Sequence, residues 1–281
     1  MKISIICPLY NAEDYIEDLY FNIKKQKDVC IEEIKFILTE SNDNTEAKLK
    51  KLQCNYKKIS KQEFSHSLVR ENAAFEAKGE ILVFITQDIK IVDEYWLYHL
   101  TKDIIAGKCE AAFSRQIGYE EHKVERYTRE INYPAEKRIV SKEDIDRLGL
   151  MTFFFSDASS AISKEIFIKL NGYDNKNLPT NEDMYFAYKL IMNGYRIEYA
   201  ADSRIIHSHD LSFKETLKRY GDIGKFFDEN KYLKEYSAGE RGLTVLKYIA
   251  KRSIEDKKPL TILDAIVNFG ARFIGMKFIK K

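Results

Sequence analysis

The chain has 281 residues, enough for one large α/β domain with an appendage or for two small domains. Hydrophobic residues make up 44%, with 18 Tyr, 17 Phe and only 4 Pro, which excludes a largely disordered chain. The formal net charge of +2 hides an asymmetry: Lys247 to Lys281 holds nine basic and three acidic residues, a local +6 on a body of −4, so the C-terminal part expects an anionic surface as partner, and a nucleic-acid partner is not expected.

Ile3-Ser4-Ile5-Ile6-Cys7 reads as a strand stopped by Pro8, and Ala12 to Lys25 as a helix with Tyr15, Leu19 and Ile23 on one face. Ile34 to Leu38 is a second strand, followed by a polar turn from Thr39 to Thr45 and a short helix to Leu52. Tyr56 to Ile59 is a short third strand and Ser67 to Lys78 an alanine-rich helix. Ile81 to Ile85 is a buried strand, and Glu94 to Ile105 the next helix. This alternation predicts an α/β fold with a mostly parallel sheet and right-handed crossovers. Glu120 to Arg147 is charged and weakly periodic, an irregular or helical excursion. Ser163 to Leu170 and Glu182 to Met192 are helices ending at Asn-Gly pairs, and Arg196 to Tyr199 and Ser203 to His207 read as two short strands. Helical segments fill the remainder, with a break at Pro259.

The four cysteines, Cys7, Cys30, Cys54 and Cys109, lack metal-ligand or redox spacing and read as reduced, mostly buried thiols of a cytosolic protein. The N-terminus enters a strand with no secretory pattern. No run reaches the roughly 18 uninterrupted apolar residues that a membrane-spanning helix requires.

Thr86-Gln87-Asp88 closes the apolar run Ile81 to Ile85. Ligands of open α/β sheets bind outside the carboxyl ends of strands, and a carboxylate there can hold a divalent cation that in turn holds a diphosphate. Alone, a solvated strand-end Asp is the better explanation. His207 and His209, two residues apart, share a face in an extended segment.

These pieces fall in order along the chain: Ile3 to Asn11 reads Ile-Ser-Ile-Ile-Cys-Pro-Leu-Tyr-Asn, residues 64 to 88 run from Phe-Ser-His-Ser-Leu-Val-Arg-Glu-Asn to Thr-Gln-Asp, and then come Ser114-Arg115-Gln116, Asn132-Tyr133-Pro134, Asn181-Glu182-Asp183-Met184 and His207-Ser208-His209. The series resembles the family 2 glycosyltransferases of the GT-A fold, and more narrowly the bacterial rhamnosyltransferases of surface-polysaccharide synthesis. The resemblance covers roughly residues 3 to 228. It implies a glycosyltransferase domain over 1–228, followed by a helical, basic, amphipathic region over 229–281.

By that resemblance the chain is an inverting, metal-dependent glycosyltransferase. The donor is dTDP-β-L-rhamnose and the acceptor a lipid-linked cell-wall or surface polysaccharide. Asp183 is the general base and Glu182 its neighbour. Asp88 anchors Mg²⁺ or Mn²⁺, with His209 or His207 as an imidazole ligand. Pro8, Tyr10, Glu40, Arg70, Gln87, Asp88, Arg115 and Gln116 face the nucleotide sugar. Two departures stand out. Glu40 or Asp43 occupies the place of a nucleobase-contacting Asp, and Ser156-Asp157 replaces a more usual Ser-Asn. The first keeps a UDP-hexose donor open, to be separated by a nucleotide-sugar panel. A non-catalytic scaffold or glycan-binding module is the rival from another class, and the retained Asp88 and Glu182-Asp183 count against it.

Between Leu260 and Ile279, Ile262, Ile266, Phe269, Phe273 and Met276 recur at spacings of three and four, interrupted by Asp264, Asn268, Arg272 and Lys277. A helix lying in the interface of an anionic membrane fits this pattern and places the protein peripherally at the inner face of the cell membrane. A core helix, or one pairing a homodimer, fits it too.

Overall fold

The computed structural model describes residues 1–236 and 241–279. Its strands are β1 (Lys2–Leu9), β2 (Cys30–Thr39), β3 (Tyr56–Ile59), β4 (Ile81–Ile85), β5 (Lys90–Ile91), β6 (Ala111–Ile117), β7 (Arg138–Val140), β8 (Ser159–Ser163) and β9 (Ile197–Ile206). Its helices are α1 (Ile16–Lys24), α2 (Thr45–Lys51), α3 (His66–Phe75), α4 (Trp96–Ile105), α5 (Lys123–Asn132), α6 (Ile145–Leu148), α7 (Lys164–Lys169), α8 (Glu182–Met192), α9 (Phe213–Glu229), α10 (Arg241–Glu255) and α11 (Leu260–Phe278). The chain divides into two compact units. One comprises Met1–Arg115, Ala135–Glu143 and Phe153–Ile206, the other Gln116–Pro134, Asp144–Thr152 and His207–Lys281.

The first unit is built on a sheet of order β3-β2-β1-β4-β8-β6-β9-β5, with β7 beside β9. β1, β2, β3 and β4 run parallel, as the βα alternation predicts. β8 is antiparallel to β4 and β6, and β5 and β7 are antiparallel to β9, so the sheet is mixed. β1 and β4 are apolar at nearly every position because helices cover both faces. The core joins Ile3, Ile5, Phe36, Leu38, Val83 and Ile85 to Ile16, Leu19, Trp96 and Leu100 of the flanking helices. Where the sequence predicts two short strands, one ten-residue strand, β9, runs through Ala200 and Ala201, which lie flat and buried in the sheet.

The second unit is helical. Tyr127, Val245, Ile249 and Ala265 form its small core, packed by Val124, Leu246 and Phe269. α9 and α11 approach closely because glycines face the partner backbone. A Cβ at Gly224 would strike the Met276 carbonyl, and one at Gly275 would strike that of Leu217. α11 therefore buries Thr261, Ala265, Ala271 and Gly275, and turns Leu263, Ile266, Val267 and Phe273 outward. Among the described residues, no helix is long and apolar enough to cross a membrane. Lys280 and Lys281 of the predicted basic tail lie outside the described residues.

Candidate active site

Glu182 and Asp183 open α8 after Asn181, which takes the left-handed conformation (φ 58°, ψ 25°) that Asn tolerates better than most residues. Consecutive helical residues point about 100° apart, so one carboxylate turns inward and the other sideways. Glu182 turns inward to Arg70 of α3: Arg70 Nη1 lies 3.2 Å from Glu182 Oε1, with the two side chains only 3% and 9% exposed. Arg70 also donates to the His66 carbonyl at 3.0 Å. Among the described residues its Nε has no hydrogen-bond partner. Its guanidinium is thus enclosed beside the Glu182 carboxylate.

Asp183 is half-buried. Its Oδ1 accepts the Met184 N–H at 2.7 Å, and its Oδ2 the Asp157 N–H at 3.4 Å. Burial, then the like charges of Glu182 and Asp157, push its pKa well above the ordinary carboxylate value, outweighing those N–H bonds. Asp157 is fully buried and accepts from Ser160 Oγ and Tyr173 Oη, each at 2.6 Å. Its pKa also rises, through burial first, with Arg70 opposing. Glu71, the next residue on α3, accepts the backbone N–H of Tyr173 at 2.6 Å and so ties the turn before α8 to the helix that carries Arg70. Burial and like charge raise the proton affinity of both Asp157 and Asp183, and of these two Asp183 is the one that is not sealed in.

At the strand ends, Gln87 clamps the loop after β1: its Oε1 accepts the Tyr10 N–H at 2.8 Å and its Nε2 donates to the Tyr10 carbonyl at 2.9 Å. The amide is spent on the backbone, and Tyr10 itself is 43% exposed. Pro8 lies in β1 next to Leu9 at the strand end, and Glu40 just beyond β2 is exposed. Asp43, the other sequence candidate there, accepts from Glu13 N, Thr45 N and Thr45 Oγ1 and so organises the turn before α2. Asp88 follows Gln87 and is half-buried. β5 pairs with the end of β9 in the register Lys90 to Ile206.

Arg115 stands half-exposed near the end of β6, in the first unit. In the second unit Gln116 is buried, and its Oε1 lies 3.1 Å from His207 Nδ1. When Nδ1 carries the hydrogen and donates it to that carbonyl oxygen, Nε2 keeps its lone pair, the tautomer of a metal-binding imidazole. His207 and His209 rings meet edge to face, 4.8 Å between centroids. Sequence reasoning assigned Gln116 to the substrate; its position beside His207 is visible only in three dimensions. Glu71, Tyr173 and the burial of Asp157 were likewise missed, since no local pattern marks them.

Residues 4–170 match the sequence model of Glycosyl transferase family 2. Among curated proteins, the chain is 28% identical to O-antigen chain rhamnosyltransferase RfbN of Salmonella typhimurium, over 100% of this chain and 90% of that protein. It is 27% identical to O-antigen chain rhamnosyltransferase WbaN of Salmonella anatum, over 99% and 89%. Among solved structures, the mannosyltransferase PcManGT from Pyrobaculum calidifontis, in complex with GDP-Man and Mn²⁺, superposes with a TM-score of 0.60 at 16% identity, over 96% of this chain and 74% of that one. S. aureus TarS 1-349 with UDP-GlcNAc gives 0.57 at 16%, over 100% and 90%. These two likenesses are of fold, and the fold is GT-A. The family match spans more than half the chain, and with it the chain belongs to glycosyl transferase family 2.

Proposed function

We propose that this glycosyltransferase moves L-rhamnose from dTDP-β-L-rhamnose to a lipid-linked O-antigen-type glycan, with inversion. Two relatives aligned over nearly the whole chain are named as O-antigen chain rhamnosyltransferases, which supports the sugar and the polymer. The observation that carries the chemistry is Asp183: a half-buried carboxyl of raised proton affinity, beside an Arg70–Glu182 pair that fixes the start of its helix.

In this reading Asp183 takes the proton of the acceptor hydroxyl. The freed oxygen attacks the anomeric carbon opposite the diphosphate, the bond to the nucleoside diphosphate breaks, and the β-linked sugar becomes α-linked. A positioned general base contributes about 10² to 10⁴ in rate. Glu182 keeps Asp183 basic by its charge and is itself held by Arg70.

The donor set suits a divalent cation: one carboxylate, Asp88, and two imidazoles, His207 and His209, with His207 oriented by Gln116. When bound, the cation would offset the charge on the departing diphosphate. Pro8, Tyr10, Glu40 and Arg115 are the side chains proposed to face the nucleotide sugar, while Gln87 shapes the Tyr10 loop.

The outward apolar face of α11, with Lys277 at its end, is proposed to rest on an anionic membrane at the cytoplasmic side, where a lipid-linked acceptor would be presented.

Purified protein should be given dTDP-, UDP- and GDP-sugars with a lipid-linked acceptor and Mn²⁺. Transfer confined to dTDP-rhamnose, with an α-linked product, is the expected result. Preferred transfer from a UDP-hexose would overturn the donor assignment.

A further inference from the structure

Asp157 lies within the first unit, as do Arg70 and Glu71 of α3, Ser160 of β8, Tyr173, and Glu182 and Asp183 of α8. Its backbone is fixed to the end of β4. The Ala158 carbonyl accepts the Thr86 N–H at 3.2 Å, and Ser159 pairs with Ile85. The Ser159 N–H donates to the Ser156 carbonyl at 3.2 Å and closes a turn around residue 157. From that turn the Asp157 N–H is aimed at Asp183 Oδ2, 3.4 Å away.

The side chain is held from two other sides. Ser160 Oγ donates to Oδ1 and Tyr173 Oη to Oδ2, each at 2.6 Å. Hydroxyl donors this close match bonds to an ionised oxygen, and each carboxylate oxygen has its own donor. An Asn, the more usual residue here by the resemblance, would turn an NH₂ donor toward one of the hydroxyls. Burial first, then the Asp157 charge, keep the Tyr173 hydroxyl protonated and so a donor. The Tyr173 ring is fixed edge-on against Phe167 and against Phe186 of α8, at 5.5 and 6.0 Å between centroids.

Two neighbouring carboxyls in different settings divide their roles. Burial raises the proton affinity of both Asp157 and Asp183, but Arg70 and the two hydroxyls oppose it only at Asp157. Asp157 therefore keeps its charge, and a proton entering the group goes to Asp183. Burial also keeps the Cys7 thiol of β1 neutral beside Arg70. With Arg70 set against Glu182 at 3.2 Å, Asp157 leaves one net negative charge beside Asp183.

We propose that Asp157 is a positioning residue for the transfer reaction: its N–H orients the Asp183 carboxylate, and its ionised side chain, held by Ser160 and Tyr173, keeps that carboxylate basic. The proposal rests on the reading of Asp183 as the base and deepens it.

The full chain would be tested as Asp157→Asn and Tyr173→Phe. The first keeps the shape and the backbone N–H and removes the charge. The second keeps the packed ring and removes one hydroxyl donor, which favours the protonated form of Asp157. The readouts are the pH profile of kcat/KM, KM for the donor, Tm, and the carboxyl titration of Asp183 by ¹³C NMR, its signal assigned by its loss in Asp183→Asn.

In Asp157→Asn the acid limb of kcat/KM and the Asp183 titration should both move to lower pH. The plateau rate should fall by less than the roughly 10² that loss of a general base costs at the least. KM for the donor should not change. Tyr173→Phe should move the limb and the titration the same way, and it decides the matter alone if Asp157→Asn does not fold. Folded variants whose limb and titration stay at the wild-type pH, whatever their rate, would overturn the assignment and leave Asp157 a structural residue. A displaced Asp183 titration, in a protein whose Asp183→Asn form transfers sugar at the wild-type rate, would support the tie between residues 157 and 183 and sink the reading of Asp183 as the base.

Discussion

Arg70 Nη1 and Glu182 Oε1 stand 3.2 Å apart across 112 residues of chain, both almost sealed from water. This pair joins α3, which lies between β3 and β4, to the first turn of α8, where Asp183 sits. Burial disfavours the guanidinium, yet Glu182 and Asp157 outweigh it, and its pKa rises. The arrangement converts a helix start into a fixed platform for one less buried carboxylate.

Breaking that pair leaves a buried charge without its partner. Arg70→Met should destabilise the protein by about 3–5 kcal/mol, and Arg70→Met with Glu182→Met by clearly less. Urea unfolding of both variants checks this. A double variant as unstable as the single one would mean the pair itself contributes little.

The raised pKa of Asp183 fixes the sign of two pH effects. As the proposed base, Asp183 would act only when deprotonated, so kcat/KM should climb with pH, with its acid limb above the roughly 3.9 of an ordinary Asp. Glu182→Gln removes one of the like charges and should move that limb to lower pH. Stability runs the other way: a carboxyl whose folded pKa is raised stabilises at low pH and loses that contribution as pH rises through the folded value. Asp183→Asn should therefore raise Tm above that pH, by about 2–4 °C per kcal/mol regained, and not below pH 4. Thermal scans over a pH series check this, and a variant less stable at every pH would contradict it.

The βα alternation made β1 to β4 and α1 to α4 legible, because strands covered on both faces are apolar runs and the helices between them are amphipathic; the two-residue β5 between β4 and α4 carried no such signal. The antiparallel part was harder. β8 is Ser-Ser-Ala-Ile-Ser, with little β-branched content, and β7 is three residues long. β9 looked like two strands because Ala200, Ala201 and Asp202 interrupt its β-propensity, although small residues are what a crowded sheet centre accommodates. Asp88, the Glu182-Asp183 pair and Arg70 were singled out by motif, but the meeting of Arg70 with Glu182 was not legible, since nothing local in the chain links residues 70 and 182.

The glycine contacts between α9 and α11 predict opposite effects of one substitution. Gly224→Ala and Gly275→Ala force methyl groups against carbonyls of the facing helix and should each cost about 1–3 kcal/mol. A Cβ at Gly270, in the interior of the same α11, meets nothing within 4 Å, so Gly270→Ala should stabilise by about 0.5–1 kcal/mol. Calorimetry of the three variants distinguishes close packing from loose association.

Apolar spacing in α11 was legible, but which face packs was not. Alanine and glycine are buried against the other helices while the large side chains point out. Leu263→Ser with Phe273→Ser should leave the fold intact and reduce flotation with anionic liposomes several-fold. High salt should weaken wild-type binding by screening Lys277 and its basic neighbours. Unchanged flotation, or wild-type dimers that the two substitutions dissociate, would contradict a membrane-facing role.

Asp183→Asn tests the catalytic assignment most directly, because it removes the proposed base and keeps the shape. Transfer to the lipid-linked acceptor should fall by at least about 10² while affinity for the nucleoside diphosphate with Mn²⁺ stays as in the wild type. Transfer within a few-fold of wild type, at unchanged diphosphate affinity, would show that another group takes the proton and that the platform built by Arg70 and Glu182 serves something else.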